Sequence, residues 1–576
     1  MNFELLAMDK RKQQPAYTNI SLEGLVIKSK SVVIYTHKTR LLSYKLLITN
    51  NLITSYYTMP NRSKDELFQL IKSLEKAEKR NFKLFVKRNS AQEDLKIIVL
   101  FDALDKMDQY DEELLLKKHK TIRKQQLSNL KAHLYKQILA SLRILKDDDN
   151  IDILLHEQMD YARILYNKGL YNQSLKVLNR TKDQARQYNQ ITFWLQALFF
   201  EKKIESLHIT RSFENRAEEL AREVNELDDR LVMVGRLSNL ALQLYGWYIQ
   251  MGHARDKKDK EAVKAFFENH LPVGAAGYKG FYEKLYLHQS YAWYGFILQD
   301  FLIYYKSCQR WVDLFDKEPI MKTVETQQYI KGMHNLLNAH FMLRNYGKFN
   351  EDLQAFEHFY RSKEANLNDN NRVQTFVYLY IAKINKHFME GSFSQGLKLV
   401  PHIEEKLEEH ELLLDRHRVL IFYYKIACLY FGAGQFERSI DYLNKIINWK
   451  VDLRTDLQCY ARLLHLIAHY ELGNYEIIDY LIRSVYRFMA KMQNLSVVEK
   501  EVFRFLQQTF HMDRGQVRKA FTQLRDKLTR YEANPLESRA FMYLDFISWL
   551  DSKIENIPVQ EVIRKKAAGK VRRKID

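Results

Sequence analysis

The chain has 576 residues, 46% of them apolar and 28% charged, a formal charge of +19, and only seven prolines and 18 glycines. That balance excludes a disordered polymer, and so few turn-formers over such a length exclude a β-rich fold. The three cysteines, Cys308, Cys428 and Cys459, are widely spaced and form no CxxC pair, which excludes a disulfide framework and a cysteine zinc site.

Residues 1–58 differ in texture from the rest, with neither a helical period nor strand alternation. They are expected to be a non-native or disordered leader, with translation beginning at Met59. The basic run Lys10-Arg11-Lys12 leads into Gln13-Gln14-Pro15 and not into an apolar signal core. Lysines also interrupt every apolar stretch before a spanning length of ~20 residues is reached. A cytoplasmic location is therefore expected. The charge is uneven. Residues 1–58 carry +5 and residues 559–576 another +5, leaving +9 on the 500 residues between them.

Residues 59–146 read as a small helical region. Ser63 is the expected N-cap, with Glu66 at the N3 position of a capping box. Helices are expected near 63–76, 77–88, 91–108 and 124–146, the last on the stripe Leu127, Leu130, Leu134, Ile138, Leu142 and Leu145. Asp147-Asp148-Asp149-Asn150 reads as a turn and the cap of the next helix. Lys76, Lys79, Lys83 and Lys87 share one helical face, a candidate polyanion contact. The stretch Leu67–Phe85, with its Ser-Leu-Glu-Lys-Ala-Glu-Lys-Arg core, is similar to the start of a group of uncharacterised bacterial helical-repeat proteins, a resemblance that brings no known activity with it.

From residue 147 to 552 a unit recurs. A glycine is followed two residues later by an aromatic or apolar residue, then by a small or tolerant position and Leu or Ile. The instances begin at Gly169, Gly347, Gly391, Gly434, Gly473 and Gly515; the last five are separated by 44, 43, 39 and 42 residues. Glycine ends one helix through a left-handed residue, and the small position lets the next helix approach closely. The best unit, Tyr423, Ala427, Tyr430, Gly434, Phe436 and Ser439, resembles the tetratricopeptide repeat where its first helix turns into its second. The resemblance covers roughly residues 150–550, with a longer period than the usual 34, helix-A positions that are often not small (Ile384, His340, Leu466), and few closing prolines. It implies a right-handed α-solenoid of about nine antiparallel helix pairs, TPR-like, of period about 39–44. The implied partner groove takes Arg163, Asn167, Arg344, Asn385, Tyr424 and Tyr470.

No enzyme signature, cofactor motif or metal set is read from the chain. His465 and His469 stand at i, i+4, but Leu466 replaces the glutamate a zincin needs. Gly274-Ala275-Ala276-Gly277-Tyr278-Lys279-Gly280 lacks the Walker spacing and reads as an inter-helix loop, a candidate hinge. Residues 553–576 read as a basic tail whose Arg572, Arg573 and Lys574 are candidate polyanion contacts. The expected function is a non-enzymatic protein- or peptide-binding scaffold. The alternative is a nucleic-acid-associated regulator using helix 76–88 and the basic tail.

Overall fold

The computed structural model describes residues 65–88, 94–145, 150–207, 215–411, 413–449, 454–492, 495–509, 512, 514–532, 534, 537 and 539–572. The expected leader, Met59 and Ser63 lie outside them. All regular secondary structure among the described residues is helical, with no strand, and these residues separate into two compact units that divide after Leu145.

The first unit holds α1 (Glu66–Ser73), α2 (Lys76–Arg88), α3 (Asp94–Lys106), α4 (Glu112–Lys118) and α5 (Lys124–Leu145). Asp65 caps α1, its carboxylate accepting from the Phe68 N–H at 2.9 Å. Helix α1 therefore begins three residues later than expected, because aspartate caps as well as serine and puts Glu66 in the first turn, where the helix dipole favours it. Phe82 and Phe101 meet at 4.7 Å in a core with Ile71, Leu134 and Ile138, the last two from the apolar stripe of α5. Helix α4 is an addition to the four expected; at seven residues it is too short to show a helical period in sequence.

The second unit begins with α6 (Ile151–Asn167), capped by Asn150 as expected, α7 (Tyr171–Gln187), α8 (Ile191–Leu207), the 36-residue α9 (Arg216–Met251) and α10 (Lys257–His270). It continues through α11 (Phe281–Leu298), α12 (Phe301–Lys317), α13 (Met321–Val324), α14 (Thr326–Met342), α15 (Tyr346–Tyr360) and α16 (Asp369–Glu390). Next come α17 (Phe393–Gly396), α18 (Val400–Glu409), α19 (Arg416–Gly432), α20 (Phe436–Ile447), α21 (Thr455–Glu471) and α22 (Tyr475–Lys491). The unit ends with α23 (Val497–Gln508), α24 (Arg514–Glu532), α25 (Arg539–Tyr543), α26 (Phe546–Glu555) and α27 (Val559–Arg572). Consecutive helices pack on one another along most of this order.

One turn recurs. A residue with φ between 51° and 78° stands at Gly169, Gln299, Arg344, Gly391, Gly434 and Gly473. The N–H of the next residue donates to the carbonyl five positions back in all six cases, at 2.8–3.1 Å, from Leu170 to Leu165 through Asn474 to His469. This bond closes a helix in a Schellman turn. An aromatic residue stands three before and two after each of these six, though not at Asn189 or Asn556, where the same bond forms: Tyr166 and Tyr171, Phe296 and Phe301, Phe341 and Tyr346, Phe388 and Phe393, Phe431 and Phe436, Tyr470 and Tyr475. In four of the pairs the rings lie 5.2–6.2 Å apart across the turn. The small positions also act in pairs. The buried Ser174 hydroxyl donates to the Ala162 carbonyl at 2.8 Å, and the buried Ser439 hydroxyl to the Ala427 carbonyl at 2.9 Å.

Two of the six expected glycines do not make this turn. Gly347 and Gly515 lie within α15 and α24, and at the former Arg344 supplies the left-handed residue three positions earlier. Glycine is permissive of φ > 0 but does not compel it. The turn residues from Gln299 onward are consequently separated by 45, 47, 43 and 39 positions. The glycine-dense loop holds a 3-10 turn, Ala275–Gly277, between α10 and α11. The basic tail also differs from a free arm: residues 559–572 are helical as α27.

The C-terminal helices pack back onto α16, α19 and α21. Tyr424 donates its hydroxyl to the Tyr543 carbonyl at 3.0 Å, Tyr543 stacks on Tyr460 at 4.1 Å, and Trp549 Nε1 donates to Glu471 at 2.7 Å. The Ser394 hydroxyl donates to Gln560 at 3.0 Å. Gly391 serves here twice, since a Cβ on it would strike the backbone of Gln560 and Arg564.

Candidate functional site

Between those C-terminal helices and the helices they cover lies a cavity of about 700 Å³. Its walls follow from the recurring turn. The position six before the left-handed residue supplies Trp293, Asn338, Asn385, Cys428 and Ile467 at the five turns from Gln299 to Gly473, and the position three before supplies Phe296, Phe341, Phe388 and Phe431 at the first four of them. These positions fall one turn apart on one face of each first helix. Helices α25 and α26 add Tyr543, Phe546 and Trp549, and α27 adds Val559, Ile563 and Lys566.

The charge on this lining is unbalanced. Lys331, Arg344, Arg418, Lys425, Arg454 and Lys566 face it, against Asp415, Glu532 and Asp545. Arg418 pairs with Asp415 at 3.3 Å, Lys566 with Asp551 at 2.8 Å, and Arg344 stands 4.0 Å from Glu532. Arg454 holds Asp456 through two nitrogens at 2.8 and 2.9 Å, and the Tyr543 hydroxyl donates to the same carboxylate. Burial pushes the Asp456 carboxyl up, but Arg454 more than offsets it and holds the group well below the usual carboxylate range.

Lys331 and Lys425 stand apart. Among the described residues neither has a carboxylate within ion-pair distance. Lys425 donates to the Asn385 side-chain oxygen at 2.6 Å and lies 5.4 Å from the Phe388 ring and 6.0 Å from Phe341. Lys331 lies 4.7 Å from the Tyr245 ring and 5.6 Å from Trp293. Burial, and then Arg454, pushes the Lys425 ammonium down to about 8; burial and then Arg418 lower Lys331. His334, stacked on Tyr378 at 4.1 Å, is pushed down to about 3 by burial and by Lys425, Arg418 and Lys331.

Of the six expected groove residues, the structure brings Arg344, Asn385 and Tyr424 to this lining. It does not bring Tyr470 there; that ring contacts Tyr475 and Phe505. Arg163 is 59% exposed with Asp160 3.5 Å away, and Asn167 is exposed at the end of α6. Sequence reasoning missed Lys331, His334 and Lys425. The available signal was a lone lysine within the otherwise uncharged run Leu420–Gly434.

The remaining candidates are dispersed. Lys79 is paired with Asp105 and Lys83 with Asp102, both at 2.6 Å, so α3 neutralises half of the stripe that Lys76 and Lys87 share. Arg572 ends α27, and Arg573 and Lys574 lie outside the described residues. His465 and His469 meet at 4.5 Å between ring centres, and no group of three metal-ligating side chains occurs among the described residues. Among those residues no helix is long and apolar enough to cross a membrane. No family model matches the chain, and no curated protein matches it in sequence.

Proposed function

We propose that the chain is a non-enzymatic binding protein, a TPR-like solenoid of helix hairpins that takes a peptide segment, or a ligand of similar bulk, in the cavity beneath its C-terminal helices. The observation that carries this reading is the cavity itself. At about 700 Å³ it falls in the range of ~300–1,000 Å³ usual for ligand sites, and aromatic walls with a few convergent polar groups are their usual lining. The aromatic and amide groups come from equivalent repeat positions, so the hairpin pattern that builds the fold also builds the site. The nucleic-acid alternative loses ground, because two of the four stripe lysines are already neutralised and residues 559–572 form a packed helix.

The test is selection of short peptides on the full-length chain, followed by titration of an enriched sequence. The expected result is one consensus whose binding survives high salt and weakens roughly tenfold or more in Phe388→Ala. Salt-sensitive retention on duplex DNA, with no peptide enriched, would contradict the proposal.

A further inference from the structure

The cavity's chemistry points to the class of its ligand, an inference that rests on reading the cavity as a binding site. An ammonium group taken out of water costs several kcal/mol unless an opposite charge or hydrogen bonds repay it. Arg418 and Arg454 satisfy that rule inside the protein, through Asp415 and Asp456. Lys425 does not. An ammonium has three donors, and one of them goes to the Asn385 oxygen. That same bond commits the Asn385 oxygen and leaves its side-chain NH2 with no hydrogen-bond partner among the described residues. Two donor groups therefore stand together on α16 and α19, against the rings of Phe341 and Phe388.

The kind of anion follows from what is left unpaired. Phosphate is typically met by the planar fork of arginine, and the nearby forks of Arg418 and Arg454 are already engaged. The free groups are a point charge and an amide, which suit a single carboxylate. Ring walls on either side suit an apolar body joined to it. We infer that the cavity binds an organic acid, its carboxylate held by Lys425 and the Asn385 amide and its apolar body lying against Phe341 and Phe388. Lys331 adds positive potential along the same lining.

The carboxylate has two possible sources, a small free acid or an acidic side chain of a bound peptide. The experiment is calorimetric titration of the full-length chain with phenylacetate, indole-3-acetate and a short peptide of alternating Phe and Glu. Each is paired with its neutral amide, the peptide with its Phe/Gln counterpart, and inorganic phosphate and chloride are titrated alongside. Lys425→Met is the informative variant. It removes an uncompensated charge from an apolar site, so the fold is kept and its melting temperature is unchanged or raised.

At least one acid is expected to bind roughly tenfold or more tightly than its amide, with that preference lost in Lys425→Met and reduced in Asn385→Leu. Preference among the free acids assigns the carboxylate to a small molecule, and preference in the peptide alone assigns it to a side chain; both support the inference. Acid and amide binding equally, in wild type and Lys425→Met alike, would overturn it while leaving the cavity as a ligand site. Phosphate or chloride binding as tightly as the organic acids would also overturn it. If no probe binds, the inference falls, and the peptide selection described above decides separately whether the proposed function stands.

Discussion

The hairpins 151–187 and 416–447 are built alike and finished differently. Each has a left-handed glycine with the same closing hydrogen bond, Gly169 and Gly434, an aromatic pair across the turn, and a buried serine bonded to an alanine carbonyl. Their first helices nevertheless face different surroundings. Asp160 and Arg163 on α6 are solvent-exposed, whereas their counterparts on α19, Lys425 and Cys428, line a cavity under helices that arrive more than a hundred residues later. Local sequence thus sets the hairpin, and distant sequence decides what its face becomes.

The largest expected effect lies where the cover is fastened. Arg454→Ala removes the ion-pair partner of the half-buried Asp456, and breaking such a pair typically costs ~3–5 kcal/mol. Urea denaturation should show that loss for Arg454→Ala, while Arg163→Ala, at an exposed pair, changes stability by less than ~1 kcal/mol. Similar losses from the two variants would break the contrast between the faces.

The shared turn should respond equally in both hairpins. Gly169→Ala and Gly434→Ala each place a Cβ on a left-handed residue at a cost of ~1–2 kcal/mol, with open space around both positions, so strain alone acts. A clearly smaller loss at either glycine would mean that its turn relaxes into another conformation.

Acid should distinguish the covered region. Burial lowers His253 and His417 to about 4, against ~6.5 in the unfolded chain. The folded state therefore prefers them neutral. Their contribution is complete above pH ~6.5 and is lost as pH falls from there towards 4. At pH 5.5, His253 alone should cost ~1.4 kcal/mol, one pH unit of differential protonation. Melting temperature measured from pH 7.5 to 5 should fall, and His253→Asn should flatten the slope; an unchanged slope would show that His253 is not held neutral.

The smallest effect is shared again. Ser174→Ala and Ser439→Ala each lose one helix-to-helix hydrogen bond worth ~1 kcal/mol, and unequal losses would show that the two hairpins are not packed alike.

The pattern of success and failure in the sequence has a physical origin. Gly169, Gly391, Gly434 and Gly473 announced their turns because only glycine enters the left-handed region freely. The turn at Arg344 was hidden, since packing on both sides of a turn can hold any residue there. The aromatic pairs that bracket all six turns were visible, but only their second members belong to the glycine-led unit. Asn385 is marked by its place six residues before the turn glycine Gly391. Lys331 and Lys425 are not, because a lone lysine in an apolar helix gains its meaning only from Tyr543, Trp549 and the other groups that close the space around it.

The most direct test of the difference between the two hairpins is native-state hydrogen exchange of the full chain with and without Tyr543→Ala. This substitution removes the stack on Tyr460 and the bond to Asp456. Faster exchange is expected in α19, α21 and α27, with unchanged exchange in α6 and α7. Unchanged exchange in α19 and α21, or equal acceleration in both hairpins, would contradict the dependence of the covered face on distant sequence.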